Sequence, residues 1–122
     1  MKDESLKTVF VETSTTGLFG TWTRQGGSSA IIQSGVEGPA AYWDNVTPGK
    51  VHLLLDFYGA DGYRPFEKTA SAENGGDLLS GLGGNTGWTA SARTGWPGGL
   101  RHGSVLPVGK EVYERLGSKW GS

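Results

Sequence analysis

Apolar and polar positions alternate most regularly over Lys50–Tyr58 (KVHLLLDFY), where Val51, Leu53, Leu55 and Phe57 share one face at period two and His52, Leu54, Asp56 and Tyr58 take the other. This pattern predicts a strand with one buried face. Thr47-Pro48-Gly49 introduces it and Gly59-Ala60-Asp61-Gly62 closes it with turn chemistry, so Tyr63–Glu67 is expected to return as an edge segment, Pro65 lacking a donor for a ladder. Upstream, Thr8–Thr13, Leu18–Arg24 and Ser29–Gln33 are β-branched or aromatic runs separated by Ser14–Gly17 and Gln25–Ser28, the spacing of a meander of short strands. Ala40–Asp44 adds another. Downstream, Thr86–Arg93 alternates weakly, with Trp88, Ala90 and Ala92 on one side. Gly109–Leu116 changes period: Val112, Tyr113 and Leu116 fall on one helical face, with Gly117 as the expected C-terminal cap.

The expected architecture is therefore mainly β, one antiparallel sandwich or partly open barrel forming a single domain over residues 1–122. Its parts are a β body over 6–73, a long Gly-rich loop over 74–99, and a C-terminal segment over 100–120 that carries one short helix. Composition sharpens this. The chain holds 22 Gly in 122 residues, with no Gly-X-Y period and only five Pro, which disfavours collagen and simple disorder. Five Trp, four Tyr and four Phe must supply much of the core, because the hydrophobic fraction is only 35%.

Charge and cysteine usage remove whole classes of function. With no Cys there is no disulfide framework, no thiolate metal site and no cysteine nucleophile. The formal net charge of −1 divides into −4 over residues 1–92 and +3 over 93–122, too weak for a nucleic-acid footprint. No apolar run has signal-peptide or membrane-span length, so the expectation is a soluble protein made in the cytoplasm.

Candidate chemistry is sparse. Gly81-Leu82-Gly83-Gly84-Asn85-Thr86-Gly87 and Gly103–Glu111 miss the spacing of the dinucleotide and phosphate-loop fingerprints, so no cofactor is expected. His52 and Asp56 lie about 13 Å apart along an extended strand and do not meet. Arg101 and His102 with Glu73 have the residue types of a metal-free ribonuclease or small hydrolase: a carboxylate takes a proton, the imidazole returns it and the guanidinium steadies a phosphate. A two-histidine metal site completed by Asp56 or Asp77 has no supporting ligand spacing, and none is expected. Asn45-Val46-Thr47 reads as turn residues.

The aromatic side chains are the better ligand or interface candidates: Trp96, Trp88, Trp43, Trp120 and Tyr58. Trp96, in Thr94-Gly95-Trp96-Pro97-Gly98-Gly99, crowns a predicted turn and is expected to expose its ring. Gly17–Ser28 (GLFGTWTRQGGS) resembles the opening strand of the avidins and, more loosely, of other calycins, with Gly87-Trp88-Thr89 echoing a later avidin strand. That resemblance implies a barrel closed by Trp22 with Ser28 near a ligand. Arg24 stands where the avidins have Asn, and no biotin site is carried over.

Small residues outnumber charged ones, net charge is near zero and strand edges are exposed. Together these favour a non-enzymatic assembly protein that self-associates or docks on a larger complex. The composition resembles that of bacteriophage capsid-decorating and tail proteins, which implies a virion component. The alternative is a carbohydrate- or small-ligand-binding β module using exposed Trp, with a glycan as partner. The third reading is a small hydrolase or nuclease built on His102.

Overall fold

A computed structural model describes residues 1–70 and 80–121. The fold is mainly β, with antiparallel sheets that do not close into a barrel and one short C-terminal helix. The main sheet has the order β6 (Glu37–Trp43), β7 (Lys50–Phe57), β8 (Gly62–Thr69), β9 (Thr89–Ala90). A second sheet pairs β1 (Lys2–Asp3), β2 (Thr8–Val9) and β5 (Gln33–Ser34), and a two-stranded ribbon pairs β3 (Glu12–Thr13) with β4 (Thr23–Arg24). No helix of the described residues is long and apolar enough to cross a membrane.

β7 forms where the alternation predicts a strand, and it is paired on both sides, by β6 and β8. Lys50 N–H closes the preceding turn on the Thr47 carbonyl (3.2 Å), and Ala60 N–H opens the next on the Phe57 carbonyl (2.8 Å). The first face of β7 places Leu53 and Leu55 in one cluster with Val9, Ile32 and Val36 of the second sheet and its flanks, and Val51 in another with Ala70 and Leu82. Each such fully buried aliphatic side chain contributes about 1.5–3 kcal/mol.

The other face corrects the expectation of a single buried side. Leu54 and Asp56 are both buried, Asp56 completely, because the chain after β9 crosses this face as a strap. Trp96 packs with Ala40, Leu54 and Tyr63, and the Leu100 carbonyl accepts a hydrogen bond from Tyr63 N–H (2.9 Å). Gly62, at φ +78°, makes this approach possible: a Cβ there would collide with the Leu100 carbonyl.

Pro65 does not make β8 an edge, since β8 pairs with β7 along its whole length and with β9 on the other side. The Pro65 carbonyl accepts from Ser91 N–H (2.9 Å). Its carbonyl and imino nitrogen therefore face β9, where the missing donor keeps the ladder to two residues.

Several strands are shorter than their apolar runs. Thr8–Thr13 splits into β2 and β3. Leu18–Arg24 keeps only Thr23–Arg24, because hydroxyls compete for the backbone: Ser14 Oγ donates to the Gly17 carbonyl (2.9 Å) and Thr16 Oγ1 accepts from Thr21 N–H (3.1 Å). Leu18, Phe19 and Trp22 are left exposed, so Trp22 closes no barrel and the avidin resemblance ends at the sequence. Ser29–Gln33 reduces to Gln33–Ser34 and Thr86–Arg93 to Thr89–Ala90. Of the Gly-rich stretch 74–99, residues 74–79 lie outside the described residues; the rest holds a 3-10 turn at Ser80–Leu82 and β9. Helix α1 spans Lys110–Trp120 and passes through Gly117, which caps nothing; Gly121 N–H bonds the Gly117 carbonyl instead (2.8 Å). All of α1 is exposed.

Candidate functional site

Two places concentrate chemistry, one on each face of the main sheet. On the first face, β6 ends with Trp43 opposite Val51, so the indole projects to the side that faces the second sheet. There the sheets part and leave a cleft of about 280 Å³ whose lining includes Phe10, Glu12, Trp43, Leu82 and Trp88. Trp43 is half exposed at 46%. Trp88 leans on the core beside Val51 and Leu82, and its indole N–H is buried without a hydrogen-bond partner among the described residues. Two of the lining rings carry cations: the Arg24 guanidinium lies 3.4 Å from the Phe10 ring centre and the Lys68 ammonium 5.9 Å from that of Trp88. Burial pushes the Lys68 ammonium below the usual lysine range.

On the second face, cross-strand register sets Glu37, Asp56 and Tyr63 in a row across β6, β7 and β8. Asp56 Oδ2 accepts from Arg101 Nε (2.9 Å) and lies 3.1 Å from His102 Nε2, while Oδ1 has no partner among the described residues. Glu37 lies 2.9 Å from Lys2, 3.3 Å from Lys7 and 3.8 Å from Arg101. The Lys2 ammonium foremost, helped by Lys7 and opposed by burial, holds the Glu37 carboxyl below its ordinary range. Tyr63 O–H donates to the Gly38 carbonyl (2.7 Å) and accepts from Gly103 N–H (2.6 Å), pinning the strap to the sheet. His102 itself has φ +34°, a left-handed backbone that a non-glycine residue keeps only when its surroundings fix it. Its ring rests on Gly38 (φ +51°), where a Cβ would come within 2.7 Å of the imidazole.

The sequence candidates are thus redistributed. Arg101 and His102 do come together with a carboxylate, but that carboxylate is Asp56; Glu73 lies outside the described residues, as does Asp77. The visible clue was an aspartate inside an apolar strand run, a position that demands a charged partner once both faces are covered. His52 and Asp56 remain apart: His52 Nε2 lies 2.7 Å from Asp44 Oδ2 and its ring stacks on Tyr42 with centres 5.0 Å apart. The hydrogen bond from His52, then the N–H groups of Thr47 and Val46, hold the Asp44 carboxyl well below the usual carboxylate range. Among the described residues no three His, Asp or Glu side chains cluster as metal ligands.

Trp43 and Trp88 share the first cleft. The turn that Trp96 was expected to crown is present, with Trp96 N–H on the Arg93 carbonyl (3.0 Å), but its ring folds back onto Leu54 and Tyr63 and is half-buried. Trp120 is exposed on α1, and Tyr58 is exposed with the Lys7 ammonium 6.0 Å from its ring centre; neither adjoins the cleft.

Residues 1–114 match a family model described as "Probable glycosyl hydrolase domain", of the glycosyl hydrolase 43-related type. The chain belongs to this family. No curated protein and no solved structure matches it. Membership in a glycosyl hydrolase-related family overturns the reading as a virion assembly protein: small-residue composition and near-zero charge describe how such a β domain is built, and they carry no information about its partner. The family points instead to carbohydrate, in line with the alternative drawn from the tryptophans.

Proposed function

We propose that this glycosyl hydrolase-related domain binds a short saccharide in the cleft between its two main sheets. The observation that carries the reading is the convergence of Trp43, Trp88 and Phe10 on one concavity of about 280 Å³ in a chain of this family. The volume lies near the lower end of the range of about 300–1,000 Å³ for small-molecule pockets, which suits a chain end better than a polymer interior. Sugar C–H faces stack on the half-exposed Trp43 ring, and Glu12 supplies a hydroxyl acceptor.

Binding is the activity that the described residues support most directly. Glycoside hydrolysis runs on two carboxyl groups of which one is kept protonated by a raised pKa. Here Glu4, Glu37, Asp44, Asp61 and Glu67 are all shifted downward, each foremost by a hydrogen bond from a basic side chain. The cross-strand pair Glu37 and Asp56 is occupied by Lys2, Lys7, Arg101 and His102.

Titration of Trp fluorescence with a panel of neutral pentose and hexose oligosaccharides tests the proposal. Saturable quenching is expected, with Trp43→Ala weakening it about tenfold or more, a loss of about 1.4 kcal/mol. A folded protein that responds to no saccharide, or a Trp43→Ala variant that binds as the parent does, refutes it.

A further inference from the structure

The ion pairs at Asp56 are lopsided. A charge taken wholly out of water is expected to sit with partners that are equally enclosed, yet Asp56 is sealed while the side chains of Arg101 and His102 are 52% and 55% exposed. The buried anion thus stands behind an outward-facing guanidinium that donates to it and an imidazole that touches it, the way a carboxylate orients a binding group in front of it. Arg101 spends Nε on Asp56; of its terminal nitrogens, Nη2 comes no nearer than 3.8 Å to Glu37, and Nη1 has no acidic partner among the described residues. Beside the guanidinium lies a second hollow, of about 180 Å³, whose lining includes Trp96, Tyr63, Arg101 and Ser104. The left-handed backbone at His102 adds local strain of the kind that clusters at ligand sites.

We propose that Trp96, Arg101 and Ser104 form a second saccharide subsite, on the face of the sheet opposite the first cleft, with Asp56 as its positioning residue. The indole offers a flat apolar platform, and the guanidinium fork reaches two adjacent hydroxyls of one ring. The ligand class is a neutral sugar with vicinal hydroxyls. Outside the His102 imidazole, Asp56, Glu37 and Glu4 are matched one for one by Arg101, Lys2 and Lys7 in the same network, which leaves no surplus of permanent positive charge to select a sugar acid. The inference rests on the saccharide-binding reading above and adds a site to it.

The test follows methyl glycosides of neutral sugars, with a methyl uronate for comparison, by two-dimensional NMR of the full chain in the Trp43→Ala background. Saturable shifts of the Trp96 indole N–H and the Arg101 Nε–H are expected with the neutral glycosides and not with the uronate. Arg101→Lys, which keeps a cation on Asp56 but loses the fork, is expected to weaken the affinity read at the Trp96 indole N–H about tenfold. Thermal melting separates binding from stapling. If Arg101→Lys lowers the melting temperature yet leaves the affinity intact, the cluster only fastens the strap and the second subsite is refuted. A stronger response to the uronate refutes the neutral ligand class. Binding at Trp43 in the parent with silence at Trp96 refutes the second subsite and spares the first, whereas silence at both refutes the saccharide reading itself.

Discussion

The two faces of the main sheet are covered by different physics. On the first, Leu53 and Leu55 meet Val9, Ile32 and Val36 in and beside the second sheet, Val51 packs with Ala70 and Leu82, and stability comes from area removed from water. On the second, a strap with an exposed outer side is held by directional contacts: Arg101 and His102 on Asp56, Gly103 N–H on Tyr63, and Tyr63 N–H on the Leu100 carbonyl. Apolar burial tolerates small shifts and is lost in proportion to volume. A buried charge tolerates almost nothing once its partner goes.

The largest expected effect nonetheless lies on the apolar face, where truncating a wholly buried side chain removes most of its volume from the core. Leu55→Ala should cost about 2–5 kcal/mol, read as a fall in the urea midpoint. Next comes the strap, where the asymmetry of the ion pairs gives an ordering. Arg101→Ala leaves Asp56 buried with only His102 beside it and should cost about 2 kcal/mol. Asp56→Asn strands only the half-exposed Arg101 cation and should cost less, about 1 kcal/mol, by the same denaturation measurement. The reverse order would mean that the strap does not depend on neutralising Asp56. Gly38→Ala combines a left-handed backbone with a Cβ against the His102 ring and should cost about 1–2 kcal/mol. Hydrogen exchange at the Gly103 amide should rise in that variant while the amides of the Leu53–Leu55 segment stay protected.

The smallest effect is pH-dependent and belongs to the second face alone. The folded-state pKa of Asp44 is lowered, foremost by His52, so its contribution is present above the unfolded value of about 3.9. It is lost as the pH falls from there toward the folded value. Asp44→Asn should flatten the acid limb of the stability curve below pH about 4 and leave the neutral plateau slope unchanged; an unaltered acid limb would show that the Asp44–His52 contact is not formed in solution.

The same contrast explains what the sequence made legible. Period-two alternation located β7 and its first face, since burial against a second sheet leaves that signature. The second face was hidden because its cover comes from residues 93–104, far along the chain and without periodicity. Only the lone aspartate in a Leu-rich run betrayed it. The short strands fall short of their apolar runs for a local reason, the Ser14 and Thr16 hydroxyls taking the turn backbone in place of a ladder. At the cleft, the Gly, Thr and Tyr neighbours of Trp43 and Trp88 mark them as candidates, but their meeting depends on β6 and the segment before β9 flanking the same sheet, which no spacing encodes. Trp96 was placed on a real turn, and its ring turned inward because Leu54 offered an apolar surface beneath it.

The most direct test of saccharide binding is the set of five indole N–H resonances in a two-dimensional NMR titration with a neutral oligosaccharide. Trp43 and Trp88 should move together and saturate while Trp120, isolated on α1, stays fixed. If neither cleft indole moves, or if Trp120 alone responds, the cleft between the sheets is not a saccharide site.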